Sequence, residues 1–112
     1  VKLVSIALVW CASLAAQSAH TVALSWTDTT NPAGTSYNVY RAAGACTGSP
    51  AFAKIGSTPV SVKTYTDSAV ASAATYCYQV TAVLNGVESV PSNSVAAVIP
   101  PDPPSGLSVV VH

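Results

Sequence analysis

Charge is what this chain has least of. Lys and Arg number four, Asp and Glu four, so 7% of residues are charged and the formal net charge is zero. Without a basic patch there is nothing to neutralise a phosphate backbone, which excludes nucleic-acid binding. There is equally no cationic stretch for an anionic membrane surface. Histidine occurs only at positions 20 and 112, and no Cys-x-x-Cys is present, so no ligand set for a metal can be assembled from local sequence. The acids Asp28, Asp67, Glu88 and Asp102 are scattered over separate turns, and neither histidine has a nucleophile beside it. The sequence is therefore read as that of a non-enzyme with no cofactor. Low charge in a chain that is 50% hydrophobic also argues against disorder. Soluble monomers carry more charge, which points to a surface partly covered in use. A surface kept soluble by Ser and Thr hydroxyls is the alternative.

What is present begins with an apolar run. Residues 1–16 hold one charge, Lys2, and end in small residues, the pattern of a secretory signal peptide. The small-x-small site Ala16-Gln17-Ser18 gives an expected mature start at Ala19, so residues 1–18 are assigned as a signal peptide, with Ser13-Leu14-Ala15 as a second candidate site. The expectation is a secreted bacterial protein, extracellular or at the cell surface, with no membrane attachment after cleavage. A retained anchor is the alternative, although the run is short for a membrane span. Cys11 lies in the segment to be removed. That leaves Cys46 and Cys77, an even pair in an oxidising compartment. Two free buried thiols are the other possibility at this level.

The rest of the 112 residues suffices for one small domain. Residues 21–26 alternate, with Val22, Leu24 and Trp26 on one face, which is the period of a half-buried strand. Residues 28–34 form a loop rich in Thr, Asn, Pro and Gly. Further strands are expected at 36–41 with Tyr37 and Val39 inward, at 51–55, at 63–66 with Tyr65 inward, at 75–84, and at 94–99 after Pro91. In the longest of these, Tyr76, Tyr78, Val80 and Ala82 share one face, and Cys77, Gln79, Thr81 and Val83 the other. Asn85-Gly86 is the strongest hairpin signal in the chain. Asp67 is read as a turn residue closing its strand. Six short strands with turn chemistry between them predict an antiparallel β-sandwich.

These segments resemble a bacterial fibronectin type III domain. Thr-Val-Ala-Leu-Ser-Trp at 21–26, Ser-Tyr-Asn-Val-Tyr-Arg at 36–41, Thr-Tyr-Thr-Asp at 64–67 and Thr-Tyr-Cys-Tyr-Gln-Val-Thr-Ala-Val at 75–83 look like strands B, C, E and F, and Ser-Asn-Ser-Val at 92–95 like the start of strand G. The resemblance covers residues 20–99. It implies that Trp26 is the core tryptophan of strand B and that Tyr76 is the tyrosine-corner residue, its hydroxyl returning to backbone near the E–F turn. Strands C and F are antiparallel neighbours in the family, so Cys46 is within reach of Cys77, and the bridge is expected to staple a loop over the outer face of the sheet. The family's integrin-binding Arg-Gly-Asp is absent, so that activity does not transfer.

The resemblance fails at the start. Such a domain opens with a Pro-rich lead and a strand A of the form Pro-x-x-Leu-x-Val, but here only Ala19 and His20 precede strand B after cleavage. That pattern stands instead at the far end, where four prolines among residues 100–104 lead into Leu107, Val109 and Val111. The fold expected is thus all-β, a fibronectin type III-like (Ig-like) antiparallel β-sandwich lacking its own N-terminal strand A, with an extra C-terminal strand. Residues 19–99 form the domain, and residues 100–112 a Pro-rich linker with a donor strand. The lead spans about 16 Å as stiff polyproline II, which disfavours folding back on the same molecule. The expected partner is a second copy of this chain. Leu107, Val109 and Val111 would enter an acceptor groove formed by Val22, Leu24 and Trp26, giving a head-to-tail homopolymer. A secreted monomeric module for carbohydrate or a cell-surface partner, using Tyr40 on the outer face, is the alternative. A third reading takes the tail as the opening of a further domain in a tandem array.

Overall fold

The computed structural model describes the backbone of Ser5–Ser13 and residues 20–112 in full. Its strands are β1 (Ser5–Ser13), β2 (His20–Thr27), β3 (Ser36–Ala43), β4 (Ala53–Thr58), β5 (Thr64–Val70), β6 (Thr75–Leu84), β7 (Val87–Glu88) and β8 (Val95–Val98). One sheet has the order β1-β2-β5; the other runs β4-β3-β6, with both β7 and β8 pairing with β6. Every pairing is antiparallel. All-β antiparallel sheets follow from the two-residue period of the sequence, because one buried face per strand requires that alternation.

The core lies between the sheets. Val22, Leu24 and Trp26 from β2 meet Tyr37 and Val39 from β3 and Tyr78, Val80 and Ala82 from β6, with Ala97 and Ile99 closing one end. The Trp26 and Tyr37 rings meet edge to face, centroids 5.4 Å apart, an arrangement that sets the positive ring edge against the negative face. The β6–β7 hairpin turns at Asn85 (φ 52°) and Gly86 (φ 76°). Two consecutive positive φ values match the right-handed twist of the strands, and Asn-Gly adopts them with least strain.

Three expectations need correction. The vacancy beside β2 is filled: β1 pairs with β2 from Ser5 opposite Thr27 to Ser13 opposite His20, with one irregularity between Ile6 and Leu8. Residues 5–13 are apolar nearly throughout, so their sequence did not separate strand from leader. An unpaired β2 edge satisfies its backbone groups with whatever extended segment lies near. The signal-peptide site at 16–18 lies outside the described residues. Second, the C-terminal segment joins no ladder, since a lone strand has no partner for its backbone groups. Third, Asp67 is no turn residue. It sits within β5, 4% exposed, because its carboxylate is fully occupied by neighbours described below.

Candidate functional site

The feature without a structural role in the body is the tail. Its root is held by two backbone bonds, Ile99 N–H to Ala74 O at 2.7 Å and Ala73 N–H to Pro100 O at 3.1 Å. Beyond it every residue is exposed. Leu107, Val109 and Val111 are 101%, 83% and 87% exposed, so the apolar side chains singled out in the sequence stand in solvent. Gly106, at φ 75°, takes a left-handed conformation that separates the proline lead from the apolar residues. The molecule measures 71 × 29 × 18 Å.

A contact the sequence did not disclose fixes the root. His20, the first residue of β2, is buried, and its Nε2–H donates to the Asp102 carboxylate at 2.9 Å. The Asp102 side chain remains 39% exposed, so solvent screens the pair. The partners lie 82 residues apart, a separation at which sequence pattern carries no signal. His20 also stands opposite Ser13 of β1 and Val70 of β5. The end of β1, the start of β2 and the tail root therefore meet at one pole.

The expected acceptor residues Val22, Leu24 and Trp26 are buried in the sandwich core. Within one chain the structure does not bring them to Leu107, Val109 and Val111, and the β2 edge beside them carries β1.

Around this the body is stapled and buttressed. Cys46 and Cys77 form a disulfide with Cα atoms 5.1 Å apart. Cys77 is fully buried although it points away from the Tyr78–Val80–Ala82 row. Tyr76 Oη accepts the Ala71 N–H at 3.0 Å in the β5–β6 connection, and the Arg41 guanidinium lies over its ring, 5.0 Å from the centroid. Arg41 Nη1 and Tyr78 Oη donate to Asp67 Oδ2 at 2.9 and 2.7 Å, and the Ala69 N–H to Oδ1 at 3.1 Å. A buried carboxylate is tolerated when its lone pairs are used in this way. Burial, with the bond to Asp67, pushes the Tyr78 phenol well above its ordinary range.

On the outer face, Glu88 Oε2 accepts from Thr81 Oγ1 at 2.5 Å, from Asn38 Nδ2 at 3.1 Å and from the Tyr40 hydroxyl. These bonds, that of Thr81 first, hold Glu88 below its ordinary carboxylate value. The Tyr40 hydroxyl is thus already engaged. Among the described residues there is no group of three potential metal ligands and no pocket.

Comparison with proteins of known structure agrees with this architecture. An Fn3-like protein from Clostridium thermocellum is 32% identical, with 87% of this chain and 88% of that chain covered and a TM-score of 0.59. The sixth fibronectin type III domain of human fibronectin type III domain containing protein 3 is 22% identical, covering 97% and 92% of the two chains at a TM-score of 0.65. A fibronectin type III domain from human KIAA0970 is 15% identical, covering 97% and 85% at 0.65. These two show the likeness of fold alone. No protein-family model and no curated protein matches the chain.

Proposed function

The chain belongs to the fibronectin type III-like family, and on that premise we propose that it is a structural subunit of an extracellular filament or surface polymer, in which the C-terminal strand of one copy adds to the sandwich of the next. The observation that carries this reading is the exposure of Leu107, Val109 and Val111 on a segment held clear of its own body. An alternating apolar strand left in water is unfavourable. Burying these three side chains contributes roughly 5–9 kcal/mol gross, less the cost of ordering the tail, and the main-chain bonds of the new ladder add to it. As in other cases of strand addition, main-chain ladder bonds supply affinity and the places taken by alternate side chains supply specificity. The contact is heterologous, so it propagates instead of closing.

Secretion is part of the same proposal. The leader pattern of residues 1–18 and the Cys46–Cys77 disulfide both fit an oxidising compartment. A monomeric binding module built on Tyr40 finds less support, because the Tyr40 hydroxyl is satisfied by Glu88.

Deleting residues 104–112 tests the proposal. The truncated protein is expected to sediment as a monomer and to show no polymers by electron microscopy, while the intact secreted protein forms them. Polymers from the truncated chain would sink the reading.

A further inference from the structure

The β2 edge has two claimants. In the structure it is held by β1, whose residues fall in the segment that the sequence marks as a leader. The exposed tail has the sequence character of the strand that belongs there. We propose that residues 5–13 are a placeholder for the tail of another copy, and that removing the N-terminal segment is what opens the β2 edge for assembly. This rests on the assembly reading above.

Chain direction supports the exchange. β1 is antiparallel to β2, beginning opposite Thr27 and ending opposite His20. Any strand taking its place must come in beside Thr27 and run toward His20. The tail leaves its own body at the His20 pole, where Asp102 meets His20 at 2.9 Å. Continuing outward, it reaches a following copy at that copy's Thr27 pole and runs along β2 in the required sense. Six residues, 107–112, extend about 20 Å as a strand, which spans the edge from Trp26 to Thr21. Folding back onto its own β2 would require the tail to reverse through a Pro-rich lead whose first residue is bonded to Ala73.

Tethering explains why β1 holds the edge first. Only residues 14–19 separate β1 from β2, and a link of so few residues keeps an attached strand at an effective concentration of the order of millimolar. Against copies at about micromolar concentration, the attached strand therefore has roughly a thousandfold advantage. Cutting the link abolishes that advantage without altering the acceptor.

The test uses the full chain with a specific protease recognition sequence in place of residues 14–19, and a fluorescent peptide of residues 100–112 as probe. Before cutting, anisotropy should show no binding at micromolar peptide. After cutting, peptide affinity should rise by up to about a thousandfold, with residues 1–13 released and detected by mass. A second variant, Val9→Pro with Trp10→Pro, weakens β1 without cutting. Adjacent strand residues direct their N–H groups to opposite sides, so one of the two prolines removes a ladder donor. It should bind peptide uncut, with the Cys46–Cys77 bond still formed. For the chain without the proline substitutions, equal binding before and after cutting overturns the placeholder, as does peptide binding by the cut chain with residues 1–13 still associated. If the cut chain binds no peptide and forms no more polymer than the uncut chain, while deletion of 104–112 still abolishes polymers, the placeholder fails and the assembly reading stands.

Discussion

Replacing both bridge cysteines, Cys46→Ala with Cys77→Ala, perturbs the body and leaves the tail untouched. The bridge closes a sequence separation of 31 residues. On the chain-entropy argument, releasing a loop of that length restores roughly 3–4 kcal/mol of freedom to the unfolded chain. The 5.1 Å Cα separation lies in the ordinary range for disulfides, so native geometry gives no reason to discount the figure heavily. Net stabilities of whole domains are about 5–15 kcal/mol, which makes this one bond a large share of the total. For a domain of this size the loss corresponds to a fall in Tm of roughly 12–30 °C. Urea unfolding followed by tryptophan fluorescence, with Trp26 in the core, measures it directly. The m-value should rise as well, because an uncrosslinked unfolded chain exposes more surface. A loss below about 1 kcal/mol with an unchanged m-value would refute the loop-closure account.

Tyr76→Phe removes the acceptor of the Ala71 N–H and should destabilise by about 1–2 kcal/mol in the same urea assay, with the disulfide intact. The pH dependence of stability has a defined sign. Glu88 and Asp28 are held below their ordinary values of 4.5 and 3.8. Glu88 is lowered by Thr81, Tyr40 and Asn38; at Asp28 burial opposes, but hydrogen bonds from Asn31 and Tyr37 outweigh it. Their contribution is present above those ordinary values and is lost as pH falls through the lower folded ones. Thermal melts should therefore show Tm falling below about pH 4.5, and Glu88→Gln should flatten that acid limb. At the other extreme, burial raises the Tyr37 and Tyr78 phenols above 10. Stability should then decline as pH climbs from 10 toward their folded values.

The body was legible because each buried row is written at period two. Val22, Leu24 and Trp26, or Tyr78, Val80 and Ala82, mark their faces without help from the rest of the chain. Asn85-Gly86 is local chemistry and was legible for the same reason. Asp67 was not, because Asp favours turns when its surroundings are unknown; only Arg41 and Tyr78, brought in from β3 and β6, make a carboxylate acceptable inside. β1 has no distinct signature of its own, because an apolar run with a cation before it fits a leader as well as a strand, and only the neighbouring edge decides what it pairs with. At the tail, composition gave the exposed apolar residues, whereas the His20–Asp102 contact that fixes their root joins opposite ends of the body and has no sequence signature.

The short β8 strand determines how such a molecule would respond to being pulled. Tension on the tail enters the body at Ile99 and runs into β8 along its own axis. Antiparallel ladder bonds stand perpendicular to the strands, so an axial force shears the four register pairs between Val95–Val98 and β6 together instead of peeling them one at a time. Cys77 is one of those partners, opposite Ala96, and its bond to Cys46 passes part of the force into the chain beyond β3. The Ile99–Ala74 and Ala73–Pro100 bonds extend the same register toward the tail and share this load. The tail root and β8 therefore carry tension as one sheared unit, with the disulfide sharing it with the rest of the body.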